Sequence, residues 1–218
     1  MPANVIAVED PRALALACEA LQGGGLIVYP TDTLYALGGR AHDALAVRRV
    51  RHAKGRPDSR PLPVVAGDWD QVLGLARQLP PHLSLLAERF WPGPLTLVLP
   101  AAADLPDALT SGTGTVAVRI PGLAFARQLC LHAGPLIATS ANVSGAEPAT
   151  TCVEALSAVG THVGLAVDAG PAVASAVSTV VDLTGDHPRL LRSGAVAWQP
   201  ILEALLPRPA RDAGGHTW

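Results

Sequence analysis

Apolar positions along the chain alternate between a helical spacing and short unbroken runs, and the switches fall at Gly, Pro, Asn and Asp. Leu14, Ala17, Cys18 and Leu21 recur at helical spacing behind Asp10-Pro11, the form of an N-cap followed by proline at the first helical position. Gly23-Gly24-Gly25 closes that run. "LIVYP" at 26–30 is a short apolar run bounded by Gly and Pro, which predicts a strand buried on both faces, with "TDTLYALGG" as its exit loop. Asp43 then opens a second helix with Ala46, Val47 and Val50 inward and Arg48, Arg49, Arg51 and His52 elsewhere around it. Gly55-Arg56-Pro57 ends it, so Lys54 falls at a helix end. Further strands are expected at 62–66, 95–100, 115–121, 135–140, 164–169, 178–183 and 189–194. Helices are expected at 68–78, 80–90, 122–133, 151–159 and 198–206. Strands alternating with helices indicate an α/β fold, and several connections too short for a helical crossover make its sheet mixed.

Composition adds that 49% of residues are hydrophobic but only 4% aromatic, so the core must be built mainly from Ala, Val and Leu. The 21 Gly and 20 Pro fall between periodic segments and act as turn punctuation. Residues 1–206 read as one domain, and 207–218 as a loose tail. Cys18, Cys130 and Cys152 are too far apart for a metal or redox pair and read as reduced core thiols. The longest apolar runs are strand-length and the first residues form no basic leader. A cytoplasmic protein that does not enter a membrane is therefore expected.

Charge changes the picture more by its placement than by its sum. The whole chain carries −2, yet the segment from Arg48 to Arg60 holds five Arg, one Lys and one Asp. A concentrated positive site in an otherwise acidic chain suits a compact anion better than a nucleic-acid coat. Lys54 is the only lysine in the sequence, against fifteen arginines. With Arg56 it would offer a point charge and a planar fork to one polyanion; equally, a cation at a helix end complements the helix dipole. On these residues alone the two readings stand level.

Polar residues gather where strands end: Thr31-Asp32-Thr33, Arg119, "TSANVSG" at 139–145 and "LRSG" at 191–194. Such loops either bind oxyanions through hydroxyl and backbone donors or are simply turns held by Ser, Thr and Asn side chains. A shared pocket explains their common position most economically. The familiar glycine-rich nucleotide loops and the Gly-x-Ser-x-Gly and His-Glu-x-x-His motifs are missing, and the seven His have no partner at metal-ligand spacing.

Together and in this order, "YPTDTLYALG", "KGRPDSRPL", "FWPGPLTLVLP", "TVAVRIP", "PLIATSANVSG", "STVVDL" and "LRSGAV" resemble the YrdC-like family of threonylcarbamoyl-AMP synthases, in its short, single-domain form. The resemblance runs from about residue 10 to 195. It implies an open, twisted mixed sheet with flanking helices around a deep, positively lined cleft. The implied reaction joins L-threonine, bicarbonate or CO2, and ATP into threonylcarbamoyl-adenylate and pyrophosphate, and a separate transferase uses the product to modify tRNA.

By the same resemblance Lys54 and Arg56 are the catalytic pair, contacting ATP phosphates and the carboxylate being activated. Arg60, Thr115, Ser140, Asn142 and Arg192 join them in the ATP site, although the family often carries Asn where this chain has Arg60. Thr33, Arg119 and Ser178 hold threonine, with Arg119 opposite its carboxylate. Mg2+ is expected to be held by ATP rather than by protein ligands. Weak direct contact with tRNA stays open. Two rivals remain: a nonenzymatic RNA-binding module, for which two Tyr and two Phe give no stacking platform, and a carbamoyl-adenylate-dependent transferase.

Overall fold

The computed structural model describes residues 3–172 and 176–206. The strands run β1 (Asn4–Ala7), β2 (Ile27–Tyr29), β3 (Ala36–Gly38), β4 (Val64–Val65), β5 (Leu95–Pro100), β6 (Thr115–Arg119), β7 (Leu136–Ile137), β8 (Thr139–Ser140), β9 (Leu165–Asp168), β10 (Thr179–Asp182) and β11 (Arg189–Arg192). The helices are α1 (Ala13–Gln22), α2 (Ala44–Lys54), α3 (Trp69–Leu75), α4 (Leu83–Phe90), α5 (Asp107–Thr110), α6 (Ala124–Ala133), α7 (Cys152–Val159) and α8 (Trp198–Leu205). The expected loose tail, 207–218, lies outside the described residues.

The mixed α/β class is as expected, but the strands form two sheets instead of one. The first has the order β1-β9-β2-β3-β8 and the second β11-β10-β5-β6-β4-β7. The split occurs inside the run expected as one strand at 135–140. There β7 pairs with β4 and β8 pairs with β3, so the chain changes sheets at Ala138. Ala138 donates its N–H to Pro63 O at the crossing point.

β2 is buried on both faces, as its unbroken apolar run requires. Ile27 and Tyr29 enter a cluster with α1 and α6, while Val28 enters the larger cluster with α2 and α7. Among the described residues, β1, β3 and α5 lie where no strand or helix was expected. β3 occupies part of the presumed exit loop and pairs antiparallel with β2, while β1 and α5 are short and lack a long apolar period. α1 begins at Ala13, two residues later than Asp10-Pro11 suggests; the Asp10 carboxylate still accepts from the backbone N–H of Arg12, and also from its guanidinium.

α2 starts as expected, with Asp43 Oδ1 accepting from the N–H groups of Leu45 and Ala46. It ends at Gly55, whose φ of 56° lies in the left-handed region and returns its N–H to His52 O. Arg51 departs from its expected outer position: it is 5% exposed, and its guanidinium donates to Ala108 O, Pro57 O, Arg60 O and Ser111 Oγ. One buried fork thus folds the charged loop 56–60 around itself. Among the described residues no helix is long and apolar enough to cross a membrane.

Candidate active site

A cavity of about 250 Å³ brings the two sheets' polar loops to one place. Six of the ten residues singled out from the sequence line it: Thr33, Arg56, Arg119, Ser140, Ser178 and Arg192. The other four sit around it. Lys54 and Asn142 are buried behind Ser140. Thr115 lies on the same face of β6 as the lining residues Ala117 and Arg119, toward the strand's start. The Arg60 side chain is exposed, and its carbonyl is the part in use, accepting from both Arg51 and Arg56.

The turn after β2 is built by one hydroxyl. Thr31 Oγ1 donates to Leu34 O at 2.7 Å and accepts from the N–H groups of Thr33 and Leu34, which turns the chain back into β3. This sets Thr31 and Thr33 side by side, 3.0 Å between hydroxyl oxygens, against the guanidinium of Arg119. Arg119 Nη2 reaches Thr33 Oγ1 at 3.0 Å and Thr31 Oγ1 at 3.3 Å, while Nη1 reaches Asp32 Oδ1 at 2.6 Å. Arg119 is 6% exposed, so its charge is compensated inside the protein rather than by water.

Across the cavity, β5 buries Leu95, Leu97 and Leu99 on one face and turns Thr96 to the other. Thr96 Oγ1 lies 2.8 Å from Ser178 Oγ. Arg192 donates from Nε and Nη2 to Ser178 O, at 3.1 and 2.8 Å, and from Nη2 to Ser178 Oγ at 3.0 Å. The glycine of "LRSG" makes this clamp possible. A methyl group on Gly194 would lie 2.5 Å from Ser178 C and 2.6 Å from Thr179 N.

Lys54 closes the remaining wall from behind. It is 2% exposed, and its ammonium donates to Ser140 O and Asn142 O, at 2.5 Å each, and to Asn142 Oδ1 at 3.2 Å. Ser144 N–H donates to the Lys54 carbonyl, so the end of α2 and the loop after β8 hold each other twice. All three ammonium donors therefore have oxygen acceptors before any ligand enters.

Electrostatically the site is short of negative charge. Burial, then the charge of Arg56, lowers Lys54 to about 8. Burial, then Arg51, Arg60 and Arg192, push Arg56 below its ordinary value. Withdrawal from water at the cavity wall, then Arg119, does the same to Arg192. Burial is the larger cause in each case and neighbouring positive charge the smaller one, and a polyanion entering the cavity would offset both. Among the described residues, no group of three or more His, Cys, Asp or Glu could hold a metal ion.

Thr96, Asp32 and Arg51 are functional or supporting residues that no site assignment from the sequence included. Thr96 did carry a signal, as the one hydroxyl in the apolar run "LTLVLP". Arg51 carried none, because one helical turn of alternating Arg and Val does not show which arginine points inward.

The family model Sua5/yciO/yrdC, described as telomere recombination, matches residues 19–194. A threonylcarbamoyl-AMP synthase of Pyrococcus abyssi is 39% identical over 189 residues, covering 86% of this chain and 56% of that protein. One from Thiobacillus denitrificans is 37% identical over 164 residues, covering 75% of this chain and 87% of that protein. The crystal structure of P. abyssi Sua5 complexed with L-threonine superposes with a TM-score of 0.87 at 36% identity, covering 94% of this chain and 60% of that one.

Proposed function

The chain belongs to the Sua5/YciO/YrdC family, and we infer that it is an L-threonylcarbamoyladenylate synthase. It joins L-threonine, bicarbonate or CO2, and ATP, and releases pyrophosphate. The observation that carries this reading is the meeting of three guanidinium groups, from Arg56, Arg119 and Arg192, around one cavity also lined by the hydroxyls of Thr33, Thr96, Ser140 and Ser178.

Those groups suit a reaction in which the substrates bring the negative charge. The threonine amine adds to CO2 and loses a proton, giving a carbamate. A carbamate oxygen then forms a bond to the α-phosphorus of ATP as the bond to pyrophosphate breaks. The protein's task is to hold two anions within reach and stabilise charge on the phosphoryl oxygens. Arg56 and Arg192 serve the triphosphate, with Ser140 beside it and Thr115 and Asn142 at the edges of that site. Arg119 serves the threonine carboxylate, with Thr33 and Ser178 positioning the amino acid. Lys54 supports the phosphate site by fixing the Ser140–Asn142 loop and adding its charge from behind; Arg60 adds charge at the rim. Mg2+ bound to ATP supplies further charge neutralisation. The adenylate then passes to a tRNA-modifying transferase in the cytoplasm.

Mass spectrometry of purified protein with ATP, Mg2+, L-threonine and bicarbonate tests the reading directly. The expected result is a threonylcarbamoyl-adenylate peak that disappears when any of ATP, threonine or bicarbonate is omitted, with pyrophosphate formed in parallel. Folded protein that yields neither product refutes it.

A further inference from the structure

Asp32 takes no part in the roles assigned so far, yet it pairs with Arg119, the most buried of the three guanidinium groups that line the cavity. The Asp32 carboxylate is 17% exposed and lies 2.6 Å from Arg119 Nη1. Gly93 O stands 3.4 Å from the same nitrogen. Neither Asp32 nor Gly93 lines the cavity, so Nη1 is held from behind, while Nη2 meets Thr31 and Thr33, which do line it. Nε makes no hydrogen bond with the described residues. A guanidinium offers two parallel N–H groups along its Nε/Nη2 edge, the edge Arg192 uses on Ser178 O. Pairing at Nη1 leaves Nε for a carboxylate arriving from the cavity, with Nη2 shared between that carboxylate and the Thr31 and Thr33 hydroxyls.

The carboxylate is itself fixed. Its Oδ2 is buried and has no hydrogen-bond partner, and a methyl group on Gly122 would lie 3.1 Å from both Oδ2 and Cβ of Asp32. Arg127 holds that backbone in place through Pro121 O and Gly122 O. An unsatisfied buried carboxylate oxygen is costly and needs a compensating use.

We propose that Asp32 is a positioning residue that orients Arg119 so that its Nε/Nη2 edge receives the α-carboxylate of the amino-acid substrate. The inference rests on the synthase reading, which supplies that carboxylate. Loss of Asp32 leaves Arg119 held only by Thr31, Thr33 and the long contact to Gly93 O, so carboxylate recognition suffers while the rest of the amino-acid site survives.

Calorimetric titration of the full chain with L-threonine and with L-threoninamide, which lacks the carboxylate, tests this. In Asp32→Asn, affinity for L-threonine falls about 10- to 100-fold, the factor of one charge-assisted hydrogen bond, while affinity for the amide stays near the wild-type value. Gly122→Ala, which displaces the carboxylate without removing its charge, gives the same selective loss and serves where Asp32→Asn fails to fold. Equal weakening of both probes in the folded variants, or no change in either, overturns the inference and leaves the synthase reading intact. Wild-type protein that binds no L-threonine overturns both.

Discussion

At the scale of single residues, Lys54 decides more than its one charge suggests. Three oxygens accept from its ammonium, so Lys54→Ala leaves Ser140 O, Asn142 O and Asn142 Oδ1 without that donor. The expected result is a loss of about 1 to 3 kcal/mol in stability and a fall on the order of 100- to 1000-fold in kcat. Arg does not substitute, because a planar fork cannot direct three donors into a slot 2% exposed. The lone lysine among arginines thus marks a position where a compact, rotatable cation is needed. Its pH behaviour follows from its lowering to about 8. Above that pH the neutral amine has two hydrogens for three acceptors, so kcat/KM is expected to fall along an alkaline limb near pH 8. That limb is absent from the residual activity of Lys54→Arg. For stability the sign is opposite: between pH 8 and the ordinary lysine value of 10.5 the unfolded chain binds more protons, so this group's contribution rises with pH.

At the scale of elements, the β10–β11 pair shows how a backbone contact sets side-chain geometry. Gly194 packs on the backbone of Val177, Ser178 and Thr179, and Ser178 is the acceptor for Arg192 and the neighbour of Thr96. Gly194→Ala is expected to cost about 1 to 3 kcal/mol by overpacking and to raise the KM for L-threonine by up to about 100-fold, since Ser178 must move. Thermal unfolding and steady-state kinetics on one preparation check both effects. This contact also separates what was legible from what was not. α2, β5, β6 and β10 could be read because each has an apolar period bounded by Gly, Pro or Asp, and the loops leaving them carried most of the site. β3 and β8, three and two residues long, are held by partners more than a hundred residues away or by a short return, and no local period records such pairing. The exchange of sheets at Ala138 was hidden for the same reason. Side-chain direction was the other loss: Arg51 and Arg48 look alike in sequence, and only the carbonyls of Pro57, Arg60 and Ala108 distinguish the buried one.

At the scale of the whole molecule, the fold stores like charge where its net charge is negative. The chain carries −2 overall, yet Arg56, Arg119 and Arg192 share one cavity with Lys54 behind it, and Asp32 pairs with only one of them. Ligand-free protein therefore holds a local repulsion that either salt or a polyanion relieves. Raising NaCl shortens the screening length from about 10 Å at 0.1 M to about 3 Å at 1 M, so the Tm of the ligand-free protein should rise with salt. The same screening weakens attraction for ATP, whose Kd should rise. At fixed low salt, ATP at 100 times its Kd adds about 2.7 kcal/mol, or roughly 5 to 11 °C in Tm for a chain of this size. Arg56→Gln should raise the ligand-free Tm and reduce both the salt response and the ATP shift, because it removes a charge that bears on Lys54 and that Arg51, Arg60 and Arg192 in turn push down. Scanning calorimetry across a chloride series, with and without ATP, measures all three. A ligand-free Tm that falls with salt while Arg56→Gln is no more stable would mean that the cluster is already neutralised by the protein, and that a polyanion gains nothing from it.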